Sequence, residues 1–347
     1  MMTAETPNDI LTQGAVINGR AQVVGKFANG SPEWHAARRG HLGGSEISAV
    51  VRLSPFESRF SLWHRKKGEL EDIEETPAME WGTRLEPVVY DKYAESIDPD
   101  EYITTGHTFR CLIPGRGWMN ANPDGIVWGR NKETGEWFIK RILEIKTSAR
   151  GEGYGPNGSD GIPIYYRCQV LFYMYVLGVK QAELAALISG VDYRTYPVKY
   201  NTEDVNFLTE AGDQFMAELR DDITPSISDD IASYEAVREL NPELDPDLEV
   251  TVPIALGERY RSIEEAYREI KDMRHGVHAE ILEHAGAARL IKMDDDEVIA
   301  RRQMPGRGSV PYLRYIPPEK EPKVSVVEAH QDALDTADRR AAMYPSV

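Results

Sequence analysis

The feature that most constrains this chain is a series of strand-like runs separated by one short turn and one apolar helix. Gly125–Trp128 and Trp137–Lys146 are rich in β-branched and aromatic residues, with turn residues at Asn131–Gly135 between them, which predicts adjacent strands. Gly151–Gly161, rich in glycine and polar residues, predicts a mobile loop. Ile162–Leu177 then reads as a helix ended by Gly178, Ala182–Ile188 as a buried strand, and Tyr193–Tyr200 as its alternating neighbour. Strands and helices interleaved in this way predict an α/β (α+β) core: a central mixed sheet flanked by helices.

The flanks are read the same way. Residues 1–30 predict a loose, flexible arm with one short strand at Ala21–Val24. Ser31-Pro32-Glu33 has the signature of a helix start, with serine to cap and proline in the first turn. Gly43-Gly44 breaks the chain before a helix from Ser45 to Val51, and Ser58–Lys67 predicts another. Pro77–Ser96 predicts a longer helix kinked or broken at Pro87. Tyr102–Ile113 and Trp118–Ala121 read as strand, and Glu203–Arg220 as helix. An acidic, proline-bearing stretch at Ser226–Asp247 reads as a linker. Leu256–Ala287 is a long charged helix whose stripe of Tyr260, Ile263, Ala266, Tyr267, Ile270 and Met273 suits packing or pairing. Glu297–Gln303 and Tyr312–Tyr315 form an expected hairpin. The expected divisions are therefore an arm at 1–30, a core at 31–225, a helical extension with a short hairpin at 226–317, and a poorly ordered tail at 318–347.

Composition sets limits on function. The formal net charge of −17 argues against a protein that coats nucleic acid by bulk electrostatics. It is compatible with an enzyme that gathers carboxylates around a metal and keeps a few cations along a track. Two cysteines, Cys111 and Cys168, are too few for a disulfide framework or a zinc site, so a reducing cytoplasm is expected. No apolar run reaches the roughly 18 residues of a membrane helix, and no secretory leader is evident.

The chemistry concentrates in Asn122-Pro123-Asp124-Gly125 and Glu144-Ile145-Lys146, with nineteen residues, 125–143, between Asp124 and Glu144. Mg²⁺ takes hard oxygen ligands and keeps several waters. Two carboxylates on adjacent strands can hold such ions against a phosphodiester, where the metal activates water and offsets phosphate charge. The strand period puts Glu144 and Lys146 on one face, so Lys146 can reach the water or phosphate. Ile145 then points into the core with its carbonyl free to face the metal. Glu86 is either a third carboxylate for the cluster or a surface helix residue. Gln169 and Tyr173, four apart, share a helix face with Tyr165 and Tyr166 beside it. Gln169 can orient a water or a phosphate oxygen. Tyr173 is either a core ring or a DNA contact.

Six ordered blocks carry a family resemblance. They are Trp34-His35-x-x-Arg38-x-Gly40, Gly43-Gly44-Ser45-Glu46-Ile47 with Leu53-Ser54-Pro55-Phe56, Trp81-Gly82 leading to Glu86-Pro87, Pro123-Asp124-Gly125, Leu143-Glu144-Ile145-Lys146, and Gln169-x-x-x-Tyr173. From Pro32 to about Leu187 the chain resembles the YqaJ-type viral recombinase family and, more distantly, the bacteriophage lambda exonuclease family, both of the PD-(D/E)xK nuclease superfamily. The resemblance implies a restriction-endonuclease-like core and a 5′→3′ exonuclease on double-stranded DNA ends. It implies Mg²⁺, with Mn²⁺ as a substitute, and a homo-oligomeric ring. A single-strand annealing protein is the implied partner, in the cytoplasm of a bacterial host. By the same resemblance Glu86, Asp124 and Glu144 are metal ligands, Lys146 is the catalytic lysine, and Gln169 lies by the nucleophilic water. Arg38 and Ser45 match positions that hold the 5′-phosphate. Arginine suits phosphate, and Ser45 lies at a helix start that favours anions; an ion pair and a simple cap are their ordinary alternatives. The third pocket position, a serine in the lambda enzyme, is Asn122 here. The region from Pro225 lacks a lambda-type counterpart but resembles the helical extension of many YqaJ-type proteins. Arg301, Arg302, Arg307 and Arg314 cluster in it, as a contact surface or a solvated hairpin. An endonuclease of the same superfamily and an idle DNA-binding scaffold are the competing readings. An iron–sulfur relative would need four cysteines.

Overall fold

A computed structural model describes residues 6–27, 30–38, 40–306, 310–318 and 321–343. Arg307 of the expected basic cluster lies outside the described residues. In chain order the elements are α1 (Pro7–Ile10), β1 (Val16–Ile17), β2 (Ala21–Gly25), α2 (Pro32–Arg38), β3 (Leu42–Gly43), α3 (Gly44–Val50), α4 (Arg59–Lys67) and α5 (Pro77–Ala94). There follow β4 (Tyr102–Thr105), β5 (Thr108–Cys111), β6 (Met119–Ala121), β7 (Gly125–Arg130), β8 (Trp137–Ser148), α6 (Ile164–Leu177), β9 (Gln181–Ile188), β10 (Asp192–Lys199) and α7 (Thr202–Arg220). The remainder is α8 (Ile231–Leu240), α9 (Ile254–Ala285), β11 (Leu290–Lys292), β12 (Val298–Gln303), β13 (Tyr312–Tyr315) and α10 (Val326–Met343). Two compact units result: Met1–Glu243 with Glu321–Leu334, and Leu244–Lys320 with Asp335–Val347.

The first unit holds two five-stranded sheets, ordered β1-β2-β5-β6-β3 and β10-β9-β8-β7-β4. Both sheets are mixed, as expected from sequence: β3 runs parallel to β6 in the otherwise antiparallel first sheet, and in the second β8 is antiparallel to β7 and parallel to β9. Helix α6 touches β5 and β6 of one sheet and β8 and β9 of the other. Ten of its fourteen residues are buried, which accounts for its largely apolar sequence. The strand alternation of β8 then sorts its side chains. Ile142 joins the large core around α6, whereas Leu143 and Ile145 join Val89 and Tyr93 of α5 in a smaller cluster on the opposite face. Glu144 and Lys146 share the parity of Ile142.

Several expectations change. Residues 1–30 are not wholly a loose arm, because Ala21 and Val23 are buried and β2 pairs with β5. The strand expected over Tyr102–Ile113 is two strands, in different sheets, parted at Gly106 with φ of 65°. Helix α5 runs through Pro87 without a break. Thr83, which loses its backbone partner there, and Pro87 are both exposed, so water can satisfy the orphan carbonyl. The glycine-rich stretch is tied down rather than loose. Gly155 N bonds Gly161 O, Tyr196 Oη bonds Gly155 O, and Gly158 N bonds Thr195 O on β10. The expected linker carries α8, which packs on α4.

The tail expected to be poorly ordered forms α10. Asp204, buried on α7, caps it from outside: Oδ1 accepts from Val326 N at 2.8 Å and Val327 N at 3.1 Å. His330 then donates to Val51 O at 2.8 Å. These long-range bonds leave no local signature. In the second unit α9 has 32 residues and none buried. Beside the hairpin expected from sequence, β11 adds a third antiparallel strand. Among the described residues no helix is long and apolar enough to cross a membrane.

Candidate active site

Glu144 is the centre of the site. It lies on β8, 1% exposed, facing α6. Its Oε1 accepts from Lys146 Nζ at 2.6 Å and from Gln169 Nε2 at 2.6 Å. Its Oε2 is buried with no partner. Gln169 Nε2 also meets Tyr173 Oη at 3.1 Å, so the i, i+4 pair on α6 acts together. Asp124, at the start of β7, accepts from Ile145 N at 2.6 Å through Oδ2. Ile145 thus holds Asp124 by its N–H, while its side chain packs under α5.

Burial dominates the electrostatics. It pushes Glu144 up to about 8, helped by Asp124 and opposed by Lys146. It pushes Glu86 up to about 7, helped by Asp124 and again opposed by Lys146. Asp124 is raised by burial against the pull of Lys146 and the Ile145 N–H. Burial works the other way on Lys146, yet the Glu144 and Asp124 carboxylates raise it above its ordinary value, so it stays an ammonium. Its Nζ lies 4.9 Å from the Tyr166 ring centre, a second stabiliser of the cation. Three carboxylates with one cation are short of positive charge.

A divalent metal fits this donor set. The donors are hard oxygens, one of them, Glu144 Oε2, is buried and orphaned, and the carboxylates hold on to protons for want of a cation. Glu86 lies on α5, which packs on the other face of β8 from α6, and it feels the charges of Asp124 and Lys146. Among the described residues, no three acidic, histidine or cysteine side chains lie close enough together to hold a metal ion, so Glu86, Asp124 and Glu144 would have to draw together around one.

The expected phosphate residues form a second group. Arg38 Nη2 is 3.3 Å from Ser45 Oγ and 3.4 Å from Glu46 Oε1, and its guanidinium lies 4.4 Å over the Trp34 ring. Ser45 is exposed, one residue into α3. Gly44 joins this group to the first, because a Cβ there would come within 2.3 Å of Tyr173 Cε1. Asn122 is not bonded to Arg38 or Ser45. Its Nδ2 donates to Thr108 Oγ1, and its buried Oδ1 has no partner. Threonine hydroxyl can donate or accept, so a turned amide would keep that bond and present NH₂ instead.

Two residues of this group were given no role from the sequence. Glu46 takes Lys66 Nζ at 2.8 Å and 2.9 Å and the Gly43 N–H at 2.7 Å. Burial alone would raise its carboxyl, but Lys66 and Arg38 hold it below the usual range. The capping-box spacing from Gly43 to Glu46 was a visible signal. Lys66, from α4, had none.

This arrangement sits within one stretch of sequence. Residues 33–180 match the YqaJ-like viral recombinase domain. The domain runs from α2 to just past α6 and contains all of the residues above. The uncharacterized protein YqaJ of Bacillus subtilis (strain 168) is 27% identical over 205 residues, covering 56% of this chain and 59% of that protein. The chain therefore spans less than two thirds of that relative. Among solved structures, the alkaline exonuclease LHK-Exo from Laribacter hongkongensis is similar at 18% identity and a TM-score of 0.40, over 56% of this chain and 94% of the other. The shutoff and exonuclease protein from Kaposi's sarcoma associated herpesvirus is similar at 12% identity and a TM-score of 0.35, over 59% and 72%.

Proposed function

We propose that this YqaJ-like chain is a divalent-metal-dependent deoxyribonuclease that degrades linear double-stranded DNA from its ends, 5′→3′, exposing single strands for recombination by annealing. The observation that carries this reading is the bonding of Glu144 to both Lys146 and Gln169, with Asp124 fixed on the next strand. Glu86, Asp124 and Glu144 would hold Mg²⁺, or Mn²⁺ in its place, and the metal would supply an activated water and charge neutralisation at phosphate.

The chain's own groups divide the remaining work. Lys146, kept as an ammonium, meets the charge that builds on the phosphate. Gln169 holds Glu144 Oε1 and so leaves Oε2 to face the reacting region. Arg38 and Ser45 suit a terminal 5′-phosphate, since a guanidinium matches two phosphate oxygens. Glu46 sets a threshold there, because a phosphate must compete with it for Arg38. Asn122 and Tyr173 would border the DNA. A single-strand annealing protein and a ring of identical copies are the partners this reading calls for.

The test is a comparison of DNA forms. Linear duplex with 5′-phosphates should be consumed in Mg²⁺ and spared in EDTA, while covalently closed circles persist in both. Cutting of closed circles would instead assign the site to an endonuclease. No metal-dependent loss of any DNA would leave the binding-scaffold reading.

A further inference from the structure

Helix α9 is 32 residues long, and not one is buried. Its apolar residues are not scattered. Tyr260, Ile263, Tyr267, Ile270, Val277 and Ile281 fall at alternating three- and four-residue steps, interrupted once by Arg274. Such a 3–4 repeat is the seam of a coiled coil, and an isolated amphipathic helix gains its stability by covering that seam. Tyr260, Tyr267 and Ile270 are 65%, 67% and 61% exposed.

We propose that α9 pairs with α9 of a second copy of this chain as an antiparallel coiled coil. The charges that flank the seam choose the partner and its direction. In an antiparallel pair, each residue flanking the seam meets its own class on the other helix. Setting Tyr267 opposite Ile270 of the second copy also sets Tyr260 opposite Val277 and Leu256 opposite Ile281. In that register Glu264 meets Lys271 of the second copy, and Arg259 meets Glu280. The two-fold axis repeats both, so every charged contact is of opposite sign. Arg274 falls opposite Ile263, where its stem can lie along the seam and its head reach water. A parallel pair in register would put Arg274 against Arg274 inside the seam. It would keep only the Arg259–Glu264 contact, repeated by symmetry.

The full-length protein should sediment as a dimer or an even-numbered assembly at micromolar concentration. Ile270→Lys should halve that mass while the first unit keeps its fold, because the residue is exposed on α9 and makes no core contact. Glu264→Lys should also weaken association, and Glu264→Lys with Lys271→Glu should restore it. A monomer at all concentrations overturns the proposal, as does an assembly that Ile270→Lys leaves intact. Failure of the double reversal to restore association overturns the antiparallel pairing, since in a parallel pair the lysine introduced by Glu264→Lys still faces Arg259. An association that appears only when DNA or another protein is added assigns the seam to that partner and overturns self-pairing.

Discussion

Gln169 on α6 donates its amide to Glu144 on β8 over 2.6 Å, at the same oxygen that Lys146 occupies. The contact joins a helix to the strand it covers and fixes which carboxylate oxygen is left free. Gln169→Ala should lower metal-supported turnover by about 10–100-fold, the usual cost of removing a group that orients a ligand. Steady-state rates against Mg²⁺ concentration check this. Gln169→Glu should be no better, as it adds a fourth carboxylate to a site already short of positive charge. Full activity in either variant would remove Gln169 from the site.

Asp124→Ala should abolish Mg²⁺-dependent degradation without unfolding the chain. The Ile145 N–H loses one acceptor, a local loss of roughly 1–3 kcal/mol for a buried donor left unmet. Rates on linear duplex and a thermal melt, run together, separate loss of chemistry from loss of fold.

Gly44 is the most sensitive small residue near the site. Gly44→Ala places a methyl 2.3 Å from the Tyr173 ring carbon in the present arrangement. Tyr173 or α3 must shift, and Gln169 and Glu144 are bonded in sequence behind it. The variant should lose activity while Ser45→Ala, exposed beside it, keeps the fold. Tyr173→Phe with Gly44→Ala should not recover activity, because the clash is with the ring.

The raised carboxylates make the metal-free protein sensitive to pH. Glu144 and Glu86, held up to about 8 and about 7, bind protons in the folded chain that the unfolded chain releases above about pH 5. The folded state then holds more protons, so unfolding free energy falls as pH rises through that window. Melting in EDTA should drop between about pH 5 and pH 8. Glu144→Gln should flatten part of the drop, and Mg²⁺ should release protons as it binds. A melting temperature that rises across that range would contradict these assignments.

Arg38→Ala should reduce any preference for 5′-phosphorylated over 5′-hydroxyl ends, measured as a ratio of initial rates. It should also leave Glu46 with Lys66 as its remaining cation. A preference equal to that of the unaltered chain would confine Arg38 to its ion pair.

Much of this protein was legible from its sequence. Local signals fixed most helices and strands, since apolar period, caps and glycine stops act within a few residues. Ser58 caps α4, and Gly178, at φ of 68°, ends α6. The two-residue strand period put Glu144 and Lys146 on one face, and the helical period paired Gln169 with Tyr173. What sequence could not set was which faces meet. Ile145 holding Asp124 by its N–H, Lys66 reaching Glu46 from α4, and Asp204 capping α10 across 122 residues depend on contacts between distant segments. The same is true of the electrostatics. Glu144 is an ordinary carboxylate until burial between α6 and the sheet removes its water. Backbone geometry is local and is written residue by residue, whereas desolvation and long-range bonding exist only once the chain has closed on itself.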